Sequence, residues 1–185
     1  MPKKQGPPTL TQWRRRIEND YDSKPWQLPI FSYGINANIE NVKWRLPKWE
    51  GKWEPAVLEH FQMRFSKQYT KGGSTYCNIR PKLDYEVVGV LLYCDKASFR
   101  KLDIYEGYPE HYQRILINVI GPDMRQIEAW AYTSNHIGSG APSKEYYDGV
   151  LEGLAAIGAP GRYIEYVREE GLNRMRGNKP LPCPF

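Results

Sequence analysis

The chain has 185 residues, 41% of them hydrophobic and 25% charged, the range of an ordinary soluble globular protein with one core-forming domain. Net charge is +5, but the excess gathers near the ends, at Lys3, Lys4, Arg14 to Arg16, Arg174, Arg176 and Lys179. That is a weak bias toward anionic partners; the clusters read as solvated arms, and no nucleic-acid partner is expected.

The three cysteines form no CxxC pair, so neither a disulfide framework nor a zinc site is suggested, and a reducing compartment fits. The start, MPKKQGPPTLTQW, lacks the apolar stretch of a signal peptide. The apolar run VVGVLLY (87–93) is far too short to span a bilayer, so a cytoplasmic location and no membrane partner are expected. Tyrosine is frequent, at 14 residues. Its ring and hydroxyl suit the wall of a small polar-ligand site, or simply pack a core.

In chain order, residues 1–28 read as a basic N-terminal extension, with Gly6-Pro7-Pro8 as a breaker and TLTQWRRRIENDY as a short helix. PIFSYG (29–34) reads as a buried strand entering a glycine turn. NANIENVKWR then predicts a helix, capped by Asn36 or Asn38, with Ile39, Val42 and Leu46 on one face and Pro47 as its stop. PKWEGKWEP (47–55) reads as a loop. AVLEHFQMRFS (56–66) is mixed, with a strand-like end.

A turn at Gly72-Gly73-Ser74 precedes TYCNIRP, and DYEVVGVLLYC (84–94) is a buried strand. DKASFRKLDIYEG (95–107) predicts a helix capped by Asp95, ending at Gly107. YQRILINVIG (112–121) and QIEAWAYTS (126–134) predict a hairpin through Gly121-Pro122-Asp123. Ser143 is the expected cap of a helix over 144–158, and PGRYIEYVREEGLNRM starts another. The pattern is α+β, a mainly antiparallel sheet with helices inserted between strands. A core domain over 29–173 and a tail over 174–185 complete the division.

Three stretches carry candidate chemistry. In FSYGINANIENVKWR (31–45), a strand ending in Tyr-Gly and entering a helix leaves backbone N–H groups free at the helix start. Such donors suit a carboxylate, phosphate or developing oxyanion, although the junction alone is equally a structural turn. Second, Glu106 falls in the last turn of its helix, against the negative end of the dipole, and beside Tyr105, Tyr108 and Pro109. Both circumstances raise a carboxyl pKa and would suit a proton-handling group. From that fragment alone, a solvated Glu-Gly helix end is the simpler account. Third, Tyr146 or Tyr147 in APSKEYYDG presents a hydroxyl, or packs. His60, His111 and His136 have no ligand spacing, so no metal is expected.

Together these segments resemble the γ-glutamyl cyclotransferase family, the broad group that includes γ-glutamylamine cyclotransferases and the butirosin-pathway enzyme. The resemblance runs in order through SYGINANIENVKWRLP, GGSTYCNIRPKLDYEVVGVLLY, LDIYEG, AWAYTS, PSKEY and AIGAPGRYIEYV, over about residues 31–172. It implies a small, mostly antiparallel β-barrel flanked by helices.

It also implies that the turn Tyr33, Gly34, Ile35, Asn36 and Ala37 binds a γ-glutamyl group and that Glu106 is the general acid/base. Tyr112 and Tyr146 are then expected on the pocket wall, with Tyr147 packed elsewhere. The implied reaction is attack of the glutamyl α-amine on its own γ-carbonyl, releasing 5-oxoproline and an amine without metal or organic cofactor. Two positions depart from the family pattern: its serine is Ile35 here, and the next-but-one apolar residue is Ala37. The alternative on the same fold is a non-catalytic binding protein for a small anionic metabolite or nucleotide.

Overall fold

The computed structural model describes residues 25–68 and 73–177. The expected helix in TLTQWRRRIENDY lies outside them. Five strands form a closed barrel in the order β1-β3-β2-β4-β5. They are β1 (Ile30–Ser32), β2 (Trp53–Gln68), β3 (Thr75–Leu92), β4 (Gln113–Ile120) and β5 (Gln126–Thr133). Four α-helices accompany them among the described residues: α1 (Ile39–Arg45), α2 (Lys96–Glu106), α3 (Lys144–Ala156) and α4 (Gly161–Met175). The expected α+β barrel is therefore the observed architecture.

The barrel closes through the shortest strand. β1 pairs antiparallel with β3, Ile30 opposite Leu92, and parallel with β5, Ile30 opposite Trp130. All three β1 residues are buried. Period-2 alternation sends Phe31 into one apolar cluster and Ile30 into the other. Each such fully buried large side chain stabilises the fold by roughly 1.5–3 kcal/mol.

The first cluster joins Phe31, Leu58, Phe65, Ile79 and Leu91 of the barrel to Tyr147, Val150 and Leu154 of α3 and Tyr163 and Val167 of α4. The second packs Val42 and Leu46 with Phe99 and Leu102 against Ile30, Val90, Leu92 and Tyr132. Helices α1 and α2 thus share one apolar cluster, and α3 and α4 share the other.

Two strands are longer than the sequence suggested. β2 starts at Trp53, inside the expected loop, and TYCNIRP joins DYEVVGVLLY in a single β3. Cross-strand pairing overrides the local interruptions. Register shifts between Glu59/Phe61 and Phe65/Lys67 absorb the mismatch, and His60 and Asp84 take positive φ. The β4–β5 hairpin forms as expected, from Gln113 opposite Thr133 to Ile120 opposite Gln126.

The cap residues act as expected. Asn38 accepts from Asn41 N, Asp95 from Ser98 N at 2.7 Å, and Ser143 from Tyr146 N. Helix α4 runs through Arg174, whose guanidinium binds Glu170 and the Gly138 carbonyl. Among the described residues no helix is long and apolar enough to cross a membrane.

Candidate active site

The sequence places Tyr33-Gly34 directly before a helix, but the structure separates the two. Gly34–Ala37 is a 3-10 turn with Tyr33 before it, and α1 begins only at Ile39. Of the two expected caps, Asn36 and Asn38, it is Asn38 that caps a helix of two turns, and residues 34–37 form their own turn before it. Gly34 has φ +63°, and a Cβ there would lie 2.7 Å from Cys77 Cβ. The turn is seated from the other side by α3. A Cβ on Gly153 would come within 2.6–2.8 Å of Asn38, backbone atoms included, and Asn38 Nδ2 donates to the Gly149 carbonyl. Two small residues one helical turn apart let α3 approach this closely.

Across the cavity, α2 presents Glu106 as its last residue, before the cap Gly107. One turn earlier on the same helix, the buried Asp103 carboxylate accepts the Tyr132 hydroxyl at 2.6 Å and lies 3.7 Å from Arg114. The Arg114 guanidinium sits 4.2 Å from the Tyr108 ring centre and 5.1 Å from that of Phe99. This buried group clamps α2 onto the β4–β5 hairpin and so determines where Glu106 points.

Glu106 and the turn meet. Asn36 Nδ2 donates to Glu106 Oε1 at 2.7 Å, and Arg45 Nη1 donates to Asn36 Oδ1 at 2.8 Å while lying 3.6 Å from the same Glu106 oxygen. Burial raises the Glu106 pKa, opposed by Arg45, the Asn36 hydrogen bond and Lys67. The direction matches the sequence expectation, but the surroundings differ. Tyr105 is 43% exposed and Tyr108 stacks on Arg114, so the burial comes from the barrel wall.

Two adjoining cavities share Ile35, Glu106, Tyr112 and Tyr146. The outer one, of about 390 Å³, is also lined by Arg45, Lys67, Tyr76 and His111. The inner one, about 30 Å³, the room of one water, is walled by Phe31, Tyr33, Asn36, Cys77 and Tyr132 among others. Tyr112 donates to the Cys77 carbonyl at 2.6 Å, and Tyr146 accepts from the Cys77 N–H at 3.2 Å. Tyr33 donates to the Tyr132 carbonyl at 2.5 Å.

Burial holds all four phenols, Tyr33, Tyr112, Tyr132 and Tyr146, far above their ordinary pKa, so they remain neutral. It likewise pushes the Cys77 thiol up to about 12, which removes it as a nucleophile near neutral pH.

Of the residues singled out in the sequence, Tyr33, Ile35, Asn36, Glu106, Tyr112 and Tyr146 line the two cavities. Tyr147 instead packs on Phe65 and donates to the Arg168 carbonyl. Ala37 is fully buried in the core, and neither its side chain nor Gly34 lines a cavity. These two shape the turn from beneath, because the chain dives toward α1 there. Ile35 fills space next to Gly149, where an added Cβ would meet its Cδ1 at 2.8 Å.

Arg45, Lys67 and Tyr132 were not foreseen as wall residues. Lys67 had no local signal: the strand was expected to stop at Ser66, and the register shift between Phe65 and Lys67, which moves the partner from Cys77 to Tyr76, breaks the alternation of Phe61, Met63 and Phe65.

The chain's similarities fit this architecture. The model of the AIG2-like family matches residues 86–167. A Methanocaldococcus jannaschii protein, whose name as a γ-glutamylcyclotransferase is itself provisional, is 33% identical over 46 residues. That match spans 25% of this chain and only 38% of the relative.

A solved γ-glutamyl cyclotransferase superimposes with TM-score 0.69 at 21% identity, over 85% of this chain and 91% of that one. An uncharacterised human protein gives 0.67 at 22% identity, over 85% and 90%. YkqA from Bacillus subtilis gives 0.71 at 18% identity, over 84% of this chain and 58% of its own. At such identities the structures speak for the fold alone. The chain therefore has the fold of the solved γ-glutamyl cyclotransferase, and the family-model match and the archaeal relative lie within that fold.

Proposed function

We propose that the protein is a γ-glutamyl cyclotransferase, with Glu106 as general acid/base. The observation that supports this best is a partly buried carboxyl, its side chain 13% exposed and its pKa raised, held by Asn36 at 2.7 Å on the shared wall of two small cavities. A carboxyl tuned upward both accepts and returns a proton near neutral pH. The outer volume, about 390 Å³, lies in the range of small-molecule sites.

In the proposed reaction the ionised Glu106 takes a proton from the substrate α-ammonium. The freed nitrogen attacks the γ-carbonyl carbon and forms the lactam C–N bond. As the tetrahedral intermediate collapses, Glu106 returns that proton to the leaving nitrogen, whose bond to the carbonyl carbon breaks, and then carries the second proton from the ring nitrogen to the departing amine. Of the three ammonium protons, one stays on the lactam nitrogen and two end on the departing amine, so the charge balances. Because the nucleophile belongs to the substrate, the site mainly has to curl the chain into a five-membered ring. In this reading the Tyr33–Asn36 turn and the Tyr112 and Tyr146 rings form the wall that holds it curled. Neutral phenols fit that role, since they add polar contacts without repelling a carboxylate.

The reading is tested by incubating the protein with γ-glutamyl dipeptides and γ-glutamyl amines and measuring 5-oxoproline by mass spectrometry. Release from at least one is expected. Ile35, an apolar side chain where the family has a hydroxyl, favours the alternative of a binding protein. Calorimetric binding with no 5-oxoproline from any substrate would decide for it.

A pH prediction follows from the charges around Glu106. The base must be ionised, so kcat/KM should fall on the acid side as pH drops through the raised Glu106 pKa. Arg45 lowers that pKa. In Arg45→Met the opposition to burial is weaker, and the acid limb should move to higher pH. A limb that stays in place or moves down would show that Glu106 does not govern it.

A further inference from the structure

We propose that Lys67 selects the leaving group by pairing with a carboxylate on it, so that the substrates are γ-glutamyl amino acids or peptides rather than γ-glutamyl derivatives of uncharged amines. The inference rests on the cyclotransferase reading above.

Among the described residues two cations line the outer cavity, and they enter from different elements. Arg45 comes from α1, on the side of the turn, where Asn36 and Glu106 engage it at 2.8 and 3.6 Å. Lys67 comes from β2. It is 3% exposed, and its Nζ lies 5.3 Å from the Tyr112 ring centre and 5.6 Å from that of Tyr76. It lines the outer cavity and not the inner one. Burial lowers its pKa, and Glu106 acts in the opposite direction. Lys67 in turn lowers the pKa of Glu106, so the two charges sense one another across the cavity.

The reacting carbonyl must lie beside Glu106, the group that moves the protons. The leaving nitrogen is one bond further, and the carboxylate of an amino-acid leaving group only two bonds beyond that. An ammonium on the wall of the same cavity, coupled electrostatically to Glu106, is suited to meet it. In a site shielded from water such a pair is stronger than at a surface. Tyr76 and the exposed Ile104 line the same cavity and give an apolar side chain on the leaving group a wall to rest against.

The test compares kcat/KM for 5-oxoproline release from γ-glutamyl-alanine and γ-glutamyl-ethylamine, which differ only by the carboxylate. Wild type should prefer the alanine substrate by roughly 10–100-fold, the range for one charge-assisted contact. In Lys67→Met the ratio should fall to within about threefold of one, while Lys67→Arg, which keeps the charge, should retain a clear preference. Thermal melting checks that each variant folds; if Lys67→Met does not, the wild-type ratio and Lys67→Arg decide.

A wild-type ratio near one, a preference for ethylamine, loss of the preference in a folded Lys67→Arg, or full preference in a folded Lys67→Met overturns the assignment of Lys67 and leaves the cyclotransferase reading standing. Absence of 5-oxoproline from both substrates and from the wider panel overturns the cyclotransferase reading itself, and this inference with it.

Discussion

Glu106→Gln should lower turnover by ~10²–10⁴-fold, the usual contribution of a general acid/base. The amide has the size and hydrogen-bonding reach of the carboxyl but cannot cycle a proton. Its oxygen can still accept from Asn36 Nδ2, which holds Glu106 at 2.7 Å in the native protein. Melting of the variant near neutral pH should occur at or above the wild-type temperature. The net influences on Glu106 raise its pKa, with burial outweighing Arg45, Asn36 and Lys67, so ionising this carboxyl in the fold is unfavourable there. A neutral isostere removes that penalty.

Lost turnover with undiminished stability is the signature of a group that serves chemistry. A binding protein would yield no 5-oxoproline from wild type, and a mere helix end would leave turnover unchanged. Full activity in the variant would overturn the role of Glu106.

Gly34→Ala should destabilise the fold by about 2–5 kcal/mol. Two physical effects add. The left-handed backbone, φ +63°, penalises any side chain by about 1–2 kcal/mol. The new methyl also meets Cys77 Cβ at 2.7 Å and Sγ at 2.8 Å, and overpacking of this kind typically costs about 1–3 kcal/mol.

Gly158→Ala separates the two effects. Gly158 has φ +72° but nothing within 4 Å of an added Cβ, so only the backbone contribution of about 1–2 kcal/mol is expected. A midpoint difference between the two variants in chemical denaturation therefore reads the crowding at Cys77. Equal losses would mean that the turn simply shifts away from β3. Such a shift would also move Asn36, and turnover should then fall with the Asn36–Glu106 hydrogen bond.

Local features were legible in the sequence because they depend on neighbours along the chain. Asn38, Asp95 and Ser143 cap their helices through residues three positions on. Gly121-Pro122-Asp123 turns one strand back on the next, and Phe99 and Leu102 mark the buried face of α2. Even the burial of Phe31 follows from a short apolar run before a glycine turn. The barrel itself was expected only through the resemblance of the ordered segments to the γ-glutamyl cyclotransferase family.

The site required the tertiary structure. Asn36 and Glu106 are 70 residues apart in the chain, and no local pattern says that an amide in a turn will hold a carboxyl at the end of a helix. Lys67 reaches the cavity because β2 extends past Ser66 through a register shift set by its pairing with β3, a long-range contact. The surroundings of Glu106 were misjudged for the same reason: Tyr105 and Tyr108 are its chain neighbours, whereas Tyr33, Tyr112, Tyr132 and Tyr146 share the inner cavity wall with it.

Propensity, capping and alternation act over a few residues, so the sequence by itself determined the helices, their caps and the β4–β5 hairpin, while cross-strand pairing set the length of β2 and β3. A buried carboxyl's proton affinity depends on every charge and dipole within several ångströms, whichever strand or helix carries them. Only barrel closure, through β1 against both β3 and β5, brought those groups together.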